Sequence, residues 1–311
     1  MFGGIDLFKK DRVLSIEITP ANIRIVEMTS KGKGKIVVHN FFEKDLQSEI
    51  FENGKIVEME LLKNQVNDIL NEEGFKSSGV VFTLDSSLVV SRDLMMPVVN
   101  DNELENMIRF EIEQYLPINL DEYVIQYKKM ELIEEGGEKK TRMNVSALPK
   151  NIVETYLQLA RECELEPLAL DLNFNAMSKV AEVLKSSTNV DLSGTIATVD
   201  VKKESLSIYI FKDGVLKMNR YFPSDWGVME KEQILESIRG FAEMYSNVNQ
   251  GDIISRIYFY GEEVDIDYFK ESIDKEMAII EKINNIKLEK NEKLFEQNKF
   301  MNCIGAGLRK H

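Results

Sequence analysis

The chain has 311 residues, 43% hydrophobic and 30% charged, with 39 basic against 53 acidic side chains and a formal net charge of −14. That length suffices for two or three structural units with a full core. The acidic balance excludes an extended nucleic-acid-binding surface as the main function. Two cysteines without ligand spacing, Cys163 and Cys303, and two histidines, His39 and His311, offer no metal cluster and no nucleophile–base constellation. The opening segment "MFGGIDLFKKDR" lacks the apolar core of a signal peptide, and no window approaches a membrane span. A reducing cytoplasm is therefore expected, with any membrane association made through a partner.

In chain order, Arg12–Glu17, Asn22–Thr29 and Lys35–Glu43 read as a three-strand meander. Leu61, Leu62, Val66, Ile69 and Leu70 then share one face of a helix that Gly74 stops, and Gly79–Asp85 is a short buried strand. "SLVVSRDLMM" predicts a strand, and residues from Asp101 to Tyr115 a helix with Leu104, Met107, Ile108, Ile112 and Tyr115 on its apolar face. "YVIQYKKMELI" and "TRMNVSALP" form a hairpin, followed by the helix "KNIVETYLQLARECE" and the strand "EPLALDL". This β-α-β-β-α-β order predicts an inserted ferredoxin-like subdomain.

A further helix leads to a second meander: "GTIATVDV", "SLSIYIFKDG" and "VLKMNRYFP". Helix, strand, helix and a closing helix ending in "IGAGLRK" follow. Two related halves with a small domain lodged in the first is the organisation of actin-like, ribonuclease-H-like folds. The expected division is 1–86 and 169–190 for the first half and 87–168 for the insert. The second half is expected over 191–225 and 252–311, with 226–251 a reduced remnant of a fourth subdomain.

One stretch carries a family resemblance. Ser91-Arg92, Pro97, Glu111, Glu113-Gln114-Tyr115, Pro117 and Leu120-Asp121-Glu122 fall in the order and spacing found in the type IV pilus assembly PilM family. "VSALPKNIVETYLQLARECELEPLALDLNFNAM" and "IGAGLR" are similar to later segments of the same family. The resemblance implies an actin-like fold with an insert like that of the cell-division actin homologue. It also implies a cytoplasmic adaptor that binds the N-terminal tail of the membrane protein PilN and links the platform protein to the motor ATPase. It leaves a homo-oligomer open.

Where that family's first phosphate loop carries Asp, Gly, Ser and Lys, this chain has Glu17, Thr19, Pro20 and Arg24. Pro20 has no N–H to offer a phosphate, and Thr19 restricts the backbone where glycine would free it. The second loop reads Asp200-Val201-Lys202, its glycine replaced, and the adenosine-side motif reads Gly261-Glu262. Glu17, Thr19, Asp200, Lys202 and Gly261 thus mark a degenerate nucleotide cleft. Glu17 and Asp200 read either as magnesium-positioning groups or as carboxylates at hairpin mouths. Lys202-Lys203 reads either as phosphate compensation or as a solvated turn. No cofactor is expected, ATP with magnesium being the alternative, and the activity expected is that of a pseudo-ATPase rather than an enzyme. Arg92, Glu111, Gln114, Tyr115, Pro117 and Leu148 are the residues expected to line a groove for the partner's tail, which would be held by strand-like pairing.

Overall fold

A computed structural model describes residues 12–31, 35–46, 50–115, 119–135, 137–185, 190–224, 229–284, 286–289 and 294–308. The first meander forms as predicted, from β1 (Arg12–Ile18), β2 (Asn22–Lys31) and β3 (Lys35–Asp45), all antiparallel. A two-residue-stranded hairpin, β4 (Phe51–Glu52) with β5 (Lys55–Ile56), leads into α1 (Met59–Glu72). Next, β6 (Gly79–Leu84) lies parallel beside β1.

The insert comprises β7 (Val90–Pro97), α2 (Asp101–Tyr115), β8 (Tyr123–Glu135) and β9 (Glu138–Pro149), with sheet order β7-β9-β8. Its own small core is Met96, Leu104, Ile108, Ile112, Met143 and Val145, so α2 covers one face of the three strands. Met107, expected on the buried face of α2, is instead 36% exposed.

The expected ferredoxin-like unit does not close. Its second helix, α3 (Lys150–Glu162), and last strand, β10 (Glu166–Leu172), belong to the first half, where β10 pairs parallel with β6. Element order cannot say which sheet a strand joins; the apolar faces decide it. Ile152, Tyr156 and Leu159 of α3 enter the first half's core, where Tyr156 meets Phe82 with ring centroids 5.3 Å apart. Burying three such side chains is worth about 1.5–3 kcal/mol each.

After α4 (Asn173–Leu184) the second meander follows: β11 (Thr195–Val201), β12 (Ser205–Lys212) and β13 (Val215–Pro223). Then come α5 (Lys231–Val248), β14 (Arg256–Gly261), α6 (Ile266–Ser272) and β15 (Glu276–Ile279). The two sheets share one order: β10-β6-β1-β2-β3 corresponds strand for strand to β15-β14-β11-β12-β13. Covered on both faces, β11 and β12 are buried almost throughout, which is why they read as continuous apolar runs.

Three further expectations change. Helix α5 is no remnant of a lost cover: it follows the third strand of its half as α1 does. Its Ile234, Leu235, Ile238, Phe241 and Tyr245 build the second core; residues 226–228 of that segment lie outside the described residues. The helix predicted through "DIDYFKESIDKEM" ends at Ser272, and β15 follows, parallel to β14. The segment 252–311 is not confined to the second half, because β16 (Ile286–Leu288) pairs with β3.

Last among the described elements, α7 (Met301–Gly307) packs against α4 between the two sheets. The approach is so close that a Cβ on Gly305 would strike the Ala176 carbonyl, which gives "IGAG" a packing reason.

Candidate functional site: the cleft between the halves

The site is built from one polar triad, present twice. Glu17 and Asp200 are the next-to-last residues of β1 and β11, the first strands of their meanders. In register with them on the fourth strands stand Thr83 and Tyr260. Asn173 and Asn302, in the first turns of α4 and α7, complete each set. In the first half Thr83 Oγ1 donates to Asn173 Oδ1 at 2.7 Å, and Asn173 Nδ2 donates to Glu17 Oε1 at 2.9 Å. In the second, Tyr260 OH donates to Asn302 Oδ1 at 3.1 Å and Asn302 Nδ2 to Asp200 Oδ2 at 2.8 Å. The same Asn302 nitrogen lies 2.8 Å from Glu17 Oε1, so the triads meet across the cleft.

Both degenerate phosphate loops are tight four-residue turns whose opening amide is spent internally. The Thr19 N–H donates to the Asn22 carbonyl at 2.9 Å and that of Lys202 to the Ser205 carbonyl at 3.0 Å. The Thr19 hydroxyl accepts from the Asn22 N–H at 2.9 Å and donates back to Asn22.

Lys202 is no solvated turn. It is 6% exposed, and its Nζ lies 2.7 Å from Glu17 Oε1 and 3.4 Å from Asp200 Oδ2. Lys203 fits the solvated reading better: its side chain is half exposed and pairs with Asp45. Arg24, fully buried in the same wall, pairs with Glu43 through Nε at 2.8 Å and with Glu262 of the second half. Its Nη1 stands 4.0 Å from Glu17 Oε2. Opposite, Asp85 accepts from Ser207 Oγ at 2.6 Å and Tyr209 OH at 2.9 Å, another link from first half to second.

These contacts set the charge states. Burial pushes the Glu17 carboxyl up, but Lys202 and Arg24 outweigh it and hold the group below its ordinary value. For Asp200 burial wins, against the attraction of the more distant Lys202 and with repulsion from Glu17, and its pKa rises to about 6. Asp85 is likewise pushed up by burial. Burial disfavours the Lys202 ammonium, yet Asp200, Glu17 and Asp85 together raise its pKa. Five carboxylates (Glu17, Glu43, Asp85, Asp200 and Glu262) thus flank two buried cations.

The sequence-predicted set divides. Glu17, Thr19, Asp200, Lys202 and Gly261 do converge. Gly261 has φ +96°, and a Cβ there would strike the Val201 carbonyl and come within 2.9 Å of Asp200 Oδ1. Glycine is required by strand packing, whatever the cleft holds. Glu262, awkward beside a ribose, is balanced by Arg24.

The expected groove residues do not all lie together. Arg92 pairs with Val145 on the sheet face that α2 covers, and Glu111 and Gln114 lie on α2 itself. Leu148 alternates onto the other face and is buried in the first half's core. Pro117 and the Tyr115 side chain lie outside the described residues. On that second face Arg142 pairs with Asp93 and Glu131 and donates to the Leu216 carbonyl of β13 at 3.3 Å. Beside it is an open cavity of about 390 Å³, away from the cleft, whose Lys212 and Asp252 are paired at 2.8 Å.

Thr83, Asp85, Asn173, Tyr260 and Asn302 were missed. Their signal was the internal repeat: an asparagine in the first turn of the helix after each fifth strand. Among the described residues no helix is long and apolar enough to cross a membrane.

Comparison with solved structures gives the fold a name. The chain matches a PilM–PilN type IV pilus biogenesis complex with a TM-score of 0.80 at 15% identity, covering 95% of this chain and 97% of the other. A Bacteroides thetaiotaomicron protein with an actin-like ATPase fold and unknown function matches at TM-score 0.54 and 12% identity, over 99% and 100% of the two chains. The cytoplasmic domain of EpsL, an inner-membrane component of the Vibrio cholerae type II secretion system, matches at 0.52 and 9%, over 96% and 94%. The fold is therefore actin-like. A family profile described as type IV pilus assembly protein PilM matches residues 15–222, two thirds of the chain, through the first half, the insert and the second meander. The chain belongs to the type IV pilus assembly protein PilM family.

Proposed function

We propose that the chain is a non-hydrolysing adaptor of type IV pilus assembly. It binds the N-terminal cytoplasmic tail of PilN and links the inner-membrane platform to the motor ATPase, recruited to the inner face of the membrane by that partner. Family membership and the likeness to a PilM–PilN complex support the pairing. The observation that carries the absence of hydrolysis is Lys202, whose ammonium lies between Glu17 and Asp200, the place a magnesium ion would have to take. The opening amide of each turn is committed to its own hairpin, and a triphosphate would face a surplus of carboxylates. The residues present do not fit that ligand.

For the tail, an extended segment gains main-chain pairing along a strand edge plus a few apolar side-chain pockets. Arg92, Glu111 and Gln114, at the α2 side of the insert, are the residues proposed to meet it; Leu148 supports the sheet from beneath. Titration of the full chain with a synthetic PilN N-terminal peptide tests the pairing, and absence of binding at high micromolar peptide overturns it. Thermal unfolding with Mg-ATP tests the cleft. A ligand at 100 times its dissociation constant adds about 2.7 kcal/mol, so a clear shift would restore the ATPase reading.

A further inference from the structure

The centre of the cleft joins the two halves through a charge that the chain itself carries. Glu17 comes from the first half, Asp200 and Lys202 from the second, and Asn302 from the helix between them. Two carboxylates converging from opposite halves, backed by amide groups and with no sulfur among them, form a donor set suited to a hard divalent cation. One oxygen is left over: Glu17 Oε2 is buried with no hydrogen-bond partner among the described residues. An ammonium has three donors to place, and here it takes Oε1 at 2.7 Å and approaches Asp200 Oδ2 at 3.4 Å. An ion with a wider coordination shell would draw on both Glu17 oxygens.

We infer that the Lys202 ammonium is a built-in replacement for a divalent cation, supplying half its charge between the two facing carboxylates while Arg24 compensates Glu17 from its other side, and tying the halves together without any ligand. This rests on the reading that the cleft takes no nucleotide. It adds that the junction is permanently in the state a bound cation would impose, so adaptor function needs no nucleotide cycle.

The test is Lys202→Ala in the full chain, followed by thermal unfolding in chelator and across a magnesium chloride series. The variant should be less stable than wild type in chelator and recover as magnesium rises. Above saturation its folding equilibrium constant should grow about tenfold per tenfold increase in free magnesium. Wild type should show no such slope, and Lys202→Ala combined with Glu17→Gln should lose it. If Lys202→Ala folds only in magnesium, the inference is supported. A variant that ignores magnesium, or stays unfolded with and without it, overturns the inference. So does a wild type with the same slope, or a double variant that keeps it. Missing magnesium rescue counts against the ammonium's role alone, whereas missing peptide binding in the titration above counts against the adaptor reading alone.

Discussion

Glu17→Gln isolates the electrostatic part of the cleft. The side chain is fully buried, and its Oε1 accepts from Lys202 Nζ at 2.7 Å, Asn302 Nδ2 at 2.8 Å and Asn173 Nδ2 at 2.9 Å. Glutamine keeps an acceptor for the two amides but cannot balance the ammonium. Breaking a buried pair on one side costs about 3–5 kcal/mol, because the other charge is left buried and uncompensated. Asp200 at 3.4 Å still compensates in part, so the expected loss is about 3 kcal/mol, at the lower end of that range. Lys202→Met should cost a similar amount, leaving Glu17 with Arg24 at 4.0 Å. Removing both charges together should cost less than the sum, since neither member of the pair is then left facing an uncompensated partner. Urea unfolding of wild type, both single variants and the double variant, followed by far-UV circular dichroism, closes the cycle. Additive losses, or a single loss below about 1 kcal/mol, would refute the cleft as a coupled electrostatic lock.

Asp200→Asn keeps an acceptor for Asn302 and removes a carboxylate whose folded pKa, about 6, lies above its ordinary 3.8. The folded wild type binds the extra proton between those values, so this group's penalty is full above pH 6 and disappears as pH falls towards 3.8. The variant should therefore be the more stable at pH 7 to 8, with the gap closing as pH falls through about 6 in parallel thermal melts. Gly261→Ala puts a side chain at φ +96° and against the Val201 carbonyl; a loss of at least about 2 kcal/mol is expected in urea unfolding. Burial pushes the Cys163 thiol up to about 11 and Cys303 well above its ordinary value. Neither should react with Ellman reagent in the native chain, and both should after unfolding in urea.

Much of the fold was legible because its signals are local. The meanders alternate or run apolar between polar turns, and their strands formed where expected. The last strands of each half were not legible. "EMAI" and "IKL" are three or four residues long, and their partners lie twenty or more residues away, as in Glu276 with Arg256 or some 250 away in Ile286 with Ile36. The destination of β10 was hidden for a related reason: "EPLALDL" suits either sheet, and only Leu170 beside Phe82 shows which one took it.

The chemistry of the cleft divides in the same way. From its covalent structure alone, Pro20 could donate no N–H, and set against the family's pattern Lys202 stands where a glycine is usual. Those losses follow from covalent structure and hold in any fold. Whether Lys202 then points to water or inward depends on what faces it, and that is set by contacts far apart in the chain. Glu17 reaches it across 185 positions, and Asn302 reaches Glu17 across 285. A charge is stable in a dry place only if opposite charges converge there from several elements at once. The turn's composition therefore determined which backbone freedom and donors the loop lacks, and tertiary packing alone decided that its lysine lies between the two halves of the molecule.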